Sequence, residues 1–231
     1  MNIVVIVAME EEMTPLRKRA NAQKVDQIKH LNIYEAINPD YHLYLVESGI
    51  GKANAAMGAT IAIERFKPDY VLNYGVVGSI KDYIHAGDIV IPNDFTYHDA
   101  DDTAFGSPLG RVARMPATYP IAAQLQPIVN MLLSKHNFFH TGQCLTSDAF
   151  MYQAERINFV RNAFPEGIIV EMEATAIAQV SYTYNLPFLS IKSVSDTSSE
   201  QALEEYLKDK DQVAINAADV LFKAIDLLQQ N

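Results

Sequence analysis

Cysteine is nearly missing: Cys144 is the single one in 231 residues. An internal disulfide framework is therefore excluded, and the lone thiol reads as a small buried filler in a chain suited to a reducing compartment. Basic charge is also short, with 18 Lys and Arg against 28 Asp and Glu and a formal charge of -10. Such a surface repels a phosphate backbone or an anionic bilayer, so neither nucleic acid nor membrane is an expected partner. Long apolar runs are lacking as well. No stretch approaches the ~20 residues needed to cross a bilayer. The apolar opening from Met1 to Met9 has no basic flank and runs at once into Glu10, Glu11 and Glu12, which is not a signal peptide. A cytoplasmic protein is expected. No linker, repeat or low-complexity segment divides the chain, and 49% hydrophobic residues suffice for a substantial core, so residues 1–231 are expected to form one domain.

What is present is alternation. Asn2 to Ala8 is a β-branched run of the kind buried on both faces of a sheet. A helix should come next, opening at Thr14-Pro15 with Thr as cap and Pro at the first helical position, or less comfortably at Glu10. Leu31 to Ile37 and Tyr41 to Glu47 read as a hairpin turned by Asn38-Pro39-Asp40. Ser48-Gly49-Ile50-Gly51-Lys52 then leads into a helix over Ala53 to Phe66, its glycines freeing backbone N–H groups at the helix head. The strand Tyr70 to Tyr74 runs into a glycine-rich junction, Gly75-Val76-Val77-Gly78, and Asp88 to Pro92 repeats the pattern. After a turn-rich stretch from Asn93 to Tyr119, the alternation continues. A helix near Ile121 to Leu133 and a strand near Phe139 to Thr146 come first. A helix near Gln153 to Ala163 is next, then a strand at Ile168 to Val170, a helix at Met172 to Tyr184 and a strand at Phe188 to Val194. The last helix places Val213, Ala217, Val220, Leu221, Ala224, Leu227 and Leu228 on one face. The expected fold class is α/β, with a central mixed, mostly parallel sheet flanked by helices on both sides. In such sheets ligands sit at the carboxyl ends of the strands.

Three acidic clusters fall at such ends: Met9-Glu10-Glu11-Glu12, Glu171-Met172-Glu173 and Ser195-Asp196. Taken singly, each is what a helix start or turn ordinarily carries, because the helix dipole favours acids there and Ser or Asp caps the first N–H groups. Glu10 and Glu11 need no other explanation. Together, the clusters bring carboxylates from three distant segments to one edge of the sheet.

These clusters belong to a longer set of strings. They include Ala8-Met9-Glu10-Glu11-Glu12, Ser48-Gly49-Ile50-Gly51-Lys52, Tyr97-His98-Asp99-Ala100-Asp101 with Thr103-Ala104-Phe105-Gly106, Asp148-Ala149-Phe150, Glu171 through Ala178, and Ser195-Asp196. The set resembles, from residue 1 to the last helix, the methylthioadenosine and adenosylhomocysteine nucleosidases of the purine nucleoside phosphorylase superfamily. The resemblance implies hydrolysis of the bond between adenine and the ribosyl carbon of methylthioadenosine, adenosylhomocysteine or deoxyadenosine. The transition state has an oxocarbenium-like sugar and a base departing with negative charge. Asp196 would share a proton with purine N7, oriented by Ser195, which requires a raised pKa. Glu12 would take a proton from the attacking water. Glu173 would accept hydrogen bonds from the ribose hydroxyls and favour the cationic sugar. Met9, Ile50 and Met172 would wall the ribose, Phe150 would stack on adenine, the Met151 backbone would meet the base edge, and Val76 and Glu171 complete the implied substrate-binding set. The resemblance further implies a homodimer in which Phe105 reaches the neighbouring site, and no metal or organic cofactor.

The chain also departs from the family. Val76 stands where a serine near ribose and water is usual, Lys192 where an arginine is usual, Ser147 where a glycine is usual, and Asp102 where a small apolar residue is usual. The segment after Asp196 is shorter, and Leu203 or Tyr206 are the nearest substitutes for a missing phenylalanine over the substrate. Arg17 and Arg19 read as solvated residues of the first helix, so no cationic cradle for the phosphate of a phosphorolytic relative is found. A hydrolase for another nucleoside, and a nucleoside-binding relative without turnover, are the other readings. His30, His42, His85, His98, His136 and His140 lack the paired spacing of zinc ligands. His98 is expected to be a structural hydrogen-bonding residue.

Overall fold

A computed structural model describes residues 1–134, 138–199 and 201–230, with the side chains of 209–214 also outside the description. His136 and the side chain of Val213 thus lie outside the described residues. The order is β1 (Asn2–Val7), α1 (Glu10–Ala20), β2 (Gln23–Ile28), β3 (Leu31–Ile37), β4 (His42–Glu47), α2 (Lys52–Phe66), β5 (Tyr70–Ser79), β6 (Ile89–Val90) and β7 (Asp94–Tyr97). Next come α3 (Gln126–Leu133), β8 (Phe139–His140), β9 (Gln143–Thr146), α4 (Ala154–Ala163), β10 (Gly167–Glu171), α5 (Ala174–Thr183), β11 (Phe188–Asp196) and α6 (Ala202–Leu228).

Among the described residues, all eleven strands join one sheet, mixed and mostly parallel, as the alternation predicts. β1 lies between β4 and β5, parallel to both, and Ile3 to Val7 are wholly buried, which is why that segment is apolar on both faces. One layer of core holds Met13 and Leu16 of α1, Ile128 and Leu132 of α3, and Leu221 and Ile225 of α6. The opposite layer holds Ala55, Ala59 and Ile63 of α2 with Ala174 and Ile177 of α5. The small residues of α2 let it lie close to the sheet.

Several boundaries differ from the expectations. α1 starts at Glu10, not at Thr14, and Pro15 sits inside it. The early start is explained by Glu12, which in the first turn folds its carboxylate back so that the Ala8 N–H donates to Oε2 at 3.2 Å, much as the acidic half of a capping box does. β2 is an added edge strand, paired antiparallel with β3. The turn-rich stretch contains β7, and the expected strand near Phe139 to Thr146 is two short strands, β8 and β9. The expected helix from Ile121 begins its regular turns only at Gln126, and that from Met172 only at Ala174.

The main correction concerns Gly75 to Gly78, which is strand and not junction. β5 pairs with β1 through Asn73, with β10 at Gly78 and Ser79, and with β11 from Val71 to Gly78. Its glycines mark close approach instead of a bend. A Cβ at Gly75 would lie 2.6 Å from Glu12 Oε1, and one at Gly78 would lie 2.9 Å from Asp196 Oδ1.

Candidate active site

Beside those glycines opens a cavity of about 360 Å³. It is lined by Val76, Val77 and Gly78 of β5 and by residues at or just beyond the ends of β1, β4, β9, β10 and β11, so six strands meet around one space. Glu12, Glu173 and Asp196 all line it, as do Met9, Ile50, Val76, Phe150, Met151, Met172 and Ser195. Leu203 and Tyr206 from α6 close one side, where the Tyr206 hydroxyl lies 3.7 Å from Met9 Sδ and its ring meets Phe150 edge-on at 6.0 Å between centroids.

Each carboxyl is held by its own set of donors. The Val76 N–H donates to Glu12 Oε1 at 2.9 Å and the Ala8 N–H to Oε2 at 3.2 Å. Burial pushes the Glu12 pKa up against the opposing pull of Lys192 and these amides. The Gly51 N–H, at the head of α2, donates to Glu173 Oε1 at 2.8 Å. Burial first, then the neighbouring Glu171, pushes Glu173 up to about 8. Asp196 accepts the Ser195 hydroxyl at 2.9 Å and the Ser198 N–H at 3.0 Å, and burial raises its pKa too.

Glu171 borders the cavity, yet its carboxylate points into the protein. It accepts from the Thr146 hydroxyl, from the N–H groups of Glu173 (3.0 Å) and Ala174 (2.7 Å) at the start of α5, and from Lys192 Nζ at 3.2 Å. With side chains 2% exposed on both partners, this is a buried ion pair. Burial opposes the Lys192 charge, but Glu171, Glu173 and Glu12 outweigh it and raise its pKa. The resemblance set Glu171 among the substrate contacts, whereas in the fold its carboxylate engages Lys192 and the start of α5. Lys192 also acts on Glu12, whose pKa its charge pulls down.

The loop bearing Phe150 is tied down by charge. Asp148 accepts the Lys52 N–H at 2.8 Å, while Lys52 Nζ lies 2.6 Å from Asp99. This arrangement links the Ser147–Met151 turn to the Gly51 turn that holds Glu173. Phe105 is not brought to the cavity: it sits in a short turn over Thr103–Phe105 and is 87% exposed. Its neighbour Asp102 accepts the Ser107 hydroxyl at 3.0 Å. His98 is buried and its backbone N–H donates to the Thr146 carbonyl at 3.0 Å, while its ring Nε2 has no partner among the described residues. Arg17 pairs with Glu10 at 3.0 Å and Arg19 with Asp219 at 2.9 Å, and among the described residues no cationic side chain lines the cavity. Sequence reasoning freed the Gly51 N–H at the helix head without giving it Glu173 as a partner, and it missed Ser198, whose only signal was its place two residues beyond Asp196.

A family model described as Phosphorylase superfamily matches residues 2–226, and the chain belongs to that superfamily. Its relatives give a narrower picture. A 5′-methylthioadenosine/S-adenosylhomocysteine nucleosidase of Staphylococcus aureus (strain MRSA252) is 37% identical over 201 residues, 87% of this chain and 88% of that one. The solved structure of a nucleosidase of that name from S. pneumoniae, with a transition-state inhibitor, superposes with a TM-score of 0.93 at 32% identity, covering 99% of this chain and 100% of that one. A futalosine hydrolase of Helicobacter pylori shares the fold, with a TM-score of 0.92 at 23% identity over 98% of this chain and 97% of that one.

Proposed function

We propose that this chain, one nucleoside phosphorylase-like domain over residues 1–231, hydrolyses the N-glycosidic bond of 5′-methylthioadenosine and S-adenosylhomocysteine. The products are adenine and a thioribose, and 5′-deoxyadenosine is a further candidate substrate. The observation that carries the reading is the convergence of Glu12, Glu173 and Asp196, from three distant segments, on one apolar cavity.

The chemistry needs help at both ends of the breaking bond. As the C1′–N9 bond lengthens, the ribose becomes cationic and electrons collect on the purine. Asp196, whose burial favours the protonated form, delivers its proton to N7, and adenine leaves neutral. Ser195 and the Ser198 N–H fix that carboxyl's orientation. Glu173 accepts the ribose hydroxyls, and the cation developing beside it favours its ionised form. Glu12 accepts the proton of the water that attacks C1′, leaving its hydroxyl on the sugar. The Val76 and Ala8 amides hold Glu12 for this and favour its ionised form. Met9, Ile50 and Met172 wall the ribose, Phe150 stacks on the base and the Met151 backbone meets its edge. Glu171 and Lys192 position this set from behind.

A homodimer, in which Phe105 covers the partner's 5′ substituent, gives a role to an aromatic ring otherwise left in solvent. The lone buried Cys144 and the acidic balance support a cytoplasmic setting. No helix among the described residues is long and apolar enough to cross a membrane.

The test is adenine release from each nucleoside by the native protein, Glu12→Gln and Asp196→Asn. Both variants should keep the native circular dichroism and lose about a hundred- to ten-thousand-fold in turnover, the usual worth of general acid–base groups. Near-native rates in either would overturn the roles. Ligand retained with no adenine released by the native protein would point to a binding protein.

A further inference from the structure

We propose that Ser198 reads the 6-substituent of the leaving purine beside the proton-donating Asp196, an inference that rests on the reaction proposed above. Three observations single this residue out. It lines the cavity and is buried, and its hydroxyl has no hydrogen-bond partner among the described residues. A buried hydroxyl without a partner forfeits the hydrogen bonds it made in water, and such groups in native folds call for an explanation. Its backbone is left-handed, with φ at 46°, a region serine rarely occupies and one that concentrates at functional sites. That conformation is what aims the Ser198 N–H at Asp196 Oδ1, 3.0 Å away.

The third observation is Gly78. A Cβ built there would collide with Ser198 Oγ and lie 2.9 Å from Asp196 Oδ1. The two side-chain oxygens therefore converge on one face of a strand position kept free of any side chain. Ser198 lines the cavity beside that carboxyl.

The chemistry then selects the contact. A purine edge that presents N7 to Asp196 carries one other polar group, the substituent on C6, while the neighbouring C8–H is apolar. A hydroxyl both donates and accepts, so it can meet an amino group there. Asp196 and Ser198 together would grip that edge at two points, orienting the base so that N7 meets the acid.

The experiment compares kcat/KM of native protein, Ser198→Ala and Ser198→Gly on methylthioadenosine and on its analogue with hydrogen in place of the 6-amino group. Glycine tolerates the left-handed backbone and alanine does not, so an effect common to both variants reports the hydroxyl. With methylthioadenosine, both variants should lose roughly fivefold, the usual net worth of a neutral hydrogen bond. With the 6-hydrogen analogue, the ratio of native to variant should fall to about one, because the partner atom is gone. An equal loss on both substrates, no loss on either, or a loss confined to Ala would overturn the assignment. Cleavage of methylthioadenosine with an unchanged ratio sinks this proposal alone, whereas no cleavage by the native protein sinks the reaction and this proposal together.

Discussion

Replacing Lys192 by Met tests whether its ion pair with Glu171 underlies the site. Nζ lies 3.2 Å from Glu171 Oε2 with both side chains out of water. Methionine keeps most of the apolar stem but leaves a buried carboxylate without its cation. Breaking one side of a buried pair costs roughly 3–5 kcal/mol. For a chain of this length each kcal/mol lowers Tm by about 2–4 °C, so the expected fall is roughly 6–20 °C. The deficit should grow with pH. Lys192 lowers the pKa of Glu12 and Glu173 in the folded protein. Without it, these groups, already raised by burial, bind protons still more tightly in the folded state, and more stability drains away as pH rises through that window. Thermal unfolding followed by circular dichroism between pH of about 5 and 8 measures both effects. The double variant Glu171→Gln with Lys192→Met replaces the pair by neutral groups and should recover much of the loss. A Lys192→Met protein melting within about 2 °C of native near neutral pH, or a double variant no more stable than the single, would refute the reasoning.

The remaining predictions concern neighbouring parts of the site. Gly75→Ala would put a methyl 2.6 Å from Glu12 Oε1, pushing that carboxylate off the Val76 amide. Adenine release should fall by at least about tenfold for a stability cost of about 1–3 kcal/mol, and a near-native rate would refute the close approach. Glu173 titrates near 8 in the fold against 4.5 in the unfolded chain. Its contribution is thus fully present below the lower value and is lost as pH rises toward the upper one. Glu173→Gln removes that slope, so its Tm should gain on the native protein with rising pH, and a constant difference would argue against the shift. Phe105→Ala should raise KM for methylthioadenosine with Tm unchanged, measured with sedimentation to read the oligomeric state. An unchanged KM removes Phe105 from the site.

Much of the architecture was legible because buried parallel strands leave strong marks. The run Ile3 to Val7 is apolar throughout since β4 and β5 cover its edges and helices its faces. The three-carboxyl edge was legible for a related reason: strand ends are where an acid comes directly after an apolar run. What escaped was set by tertiary contacts. β2, Gln-Lys-Val-Asp-Gln-Ile, lies at the sheet's edge and is largely exposed, so it carries no alternation to read. Pro15 suggested a helix start because its missing N–H suits one, but Glu12 bonding back to Ala8 starts the helix earlier. Gly75 and Gly78 suggested a turn, since nothing local shows that two carboxylates press against them. Glu171 gave no sign that its charge would turn inward to the α5 start and to Lys192, 21 residues further along the chain.

That inward turn bears on how one cavity could run an acid and a base at the same pH. Burial raises Glu12, Glu173 and Asp196 alike, so burial alone would leave all three equally ready to hold a proton. The proposed reaction needs Asp196 and Glu12 unequal, the first protonated and the second ionised. The environments differ in that sense. Lys192 is the largest influence opposing the rise at Glu12, whereas at Glu173 the neighbouring Glu171 outweighs it. The charge acting on Asp196 is that of Glu205, which adds to its rise against the hydrogen bonds from Ser198 and Ser195. Glu205 is itself fixed, accepting the Thr197 N–H at 2.8 Å. A cation behind one end of the cavity and an anion behind the other push Glu12 and Asp196 apart in proton affinity, which is the pattern by which acid and base roles are divided in enzymes that use two carboxyl groups. On this reasoning the asymmetry depends on charge at position 192 more than on the guanidinium shape usual there, and Lys192→Arg should preserve the pH profile that Lys192→Met shifts.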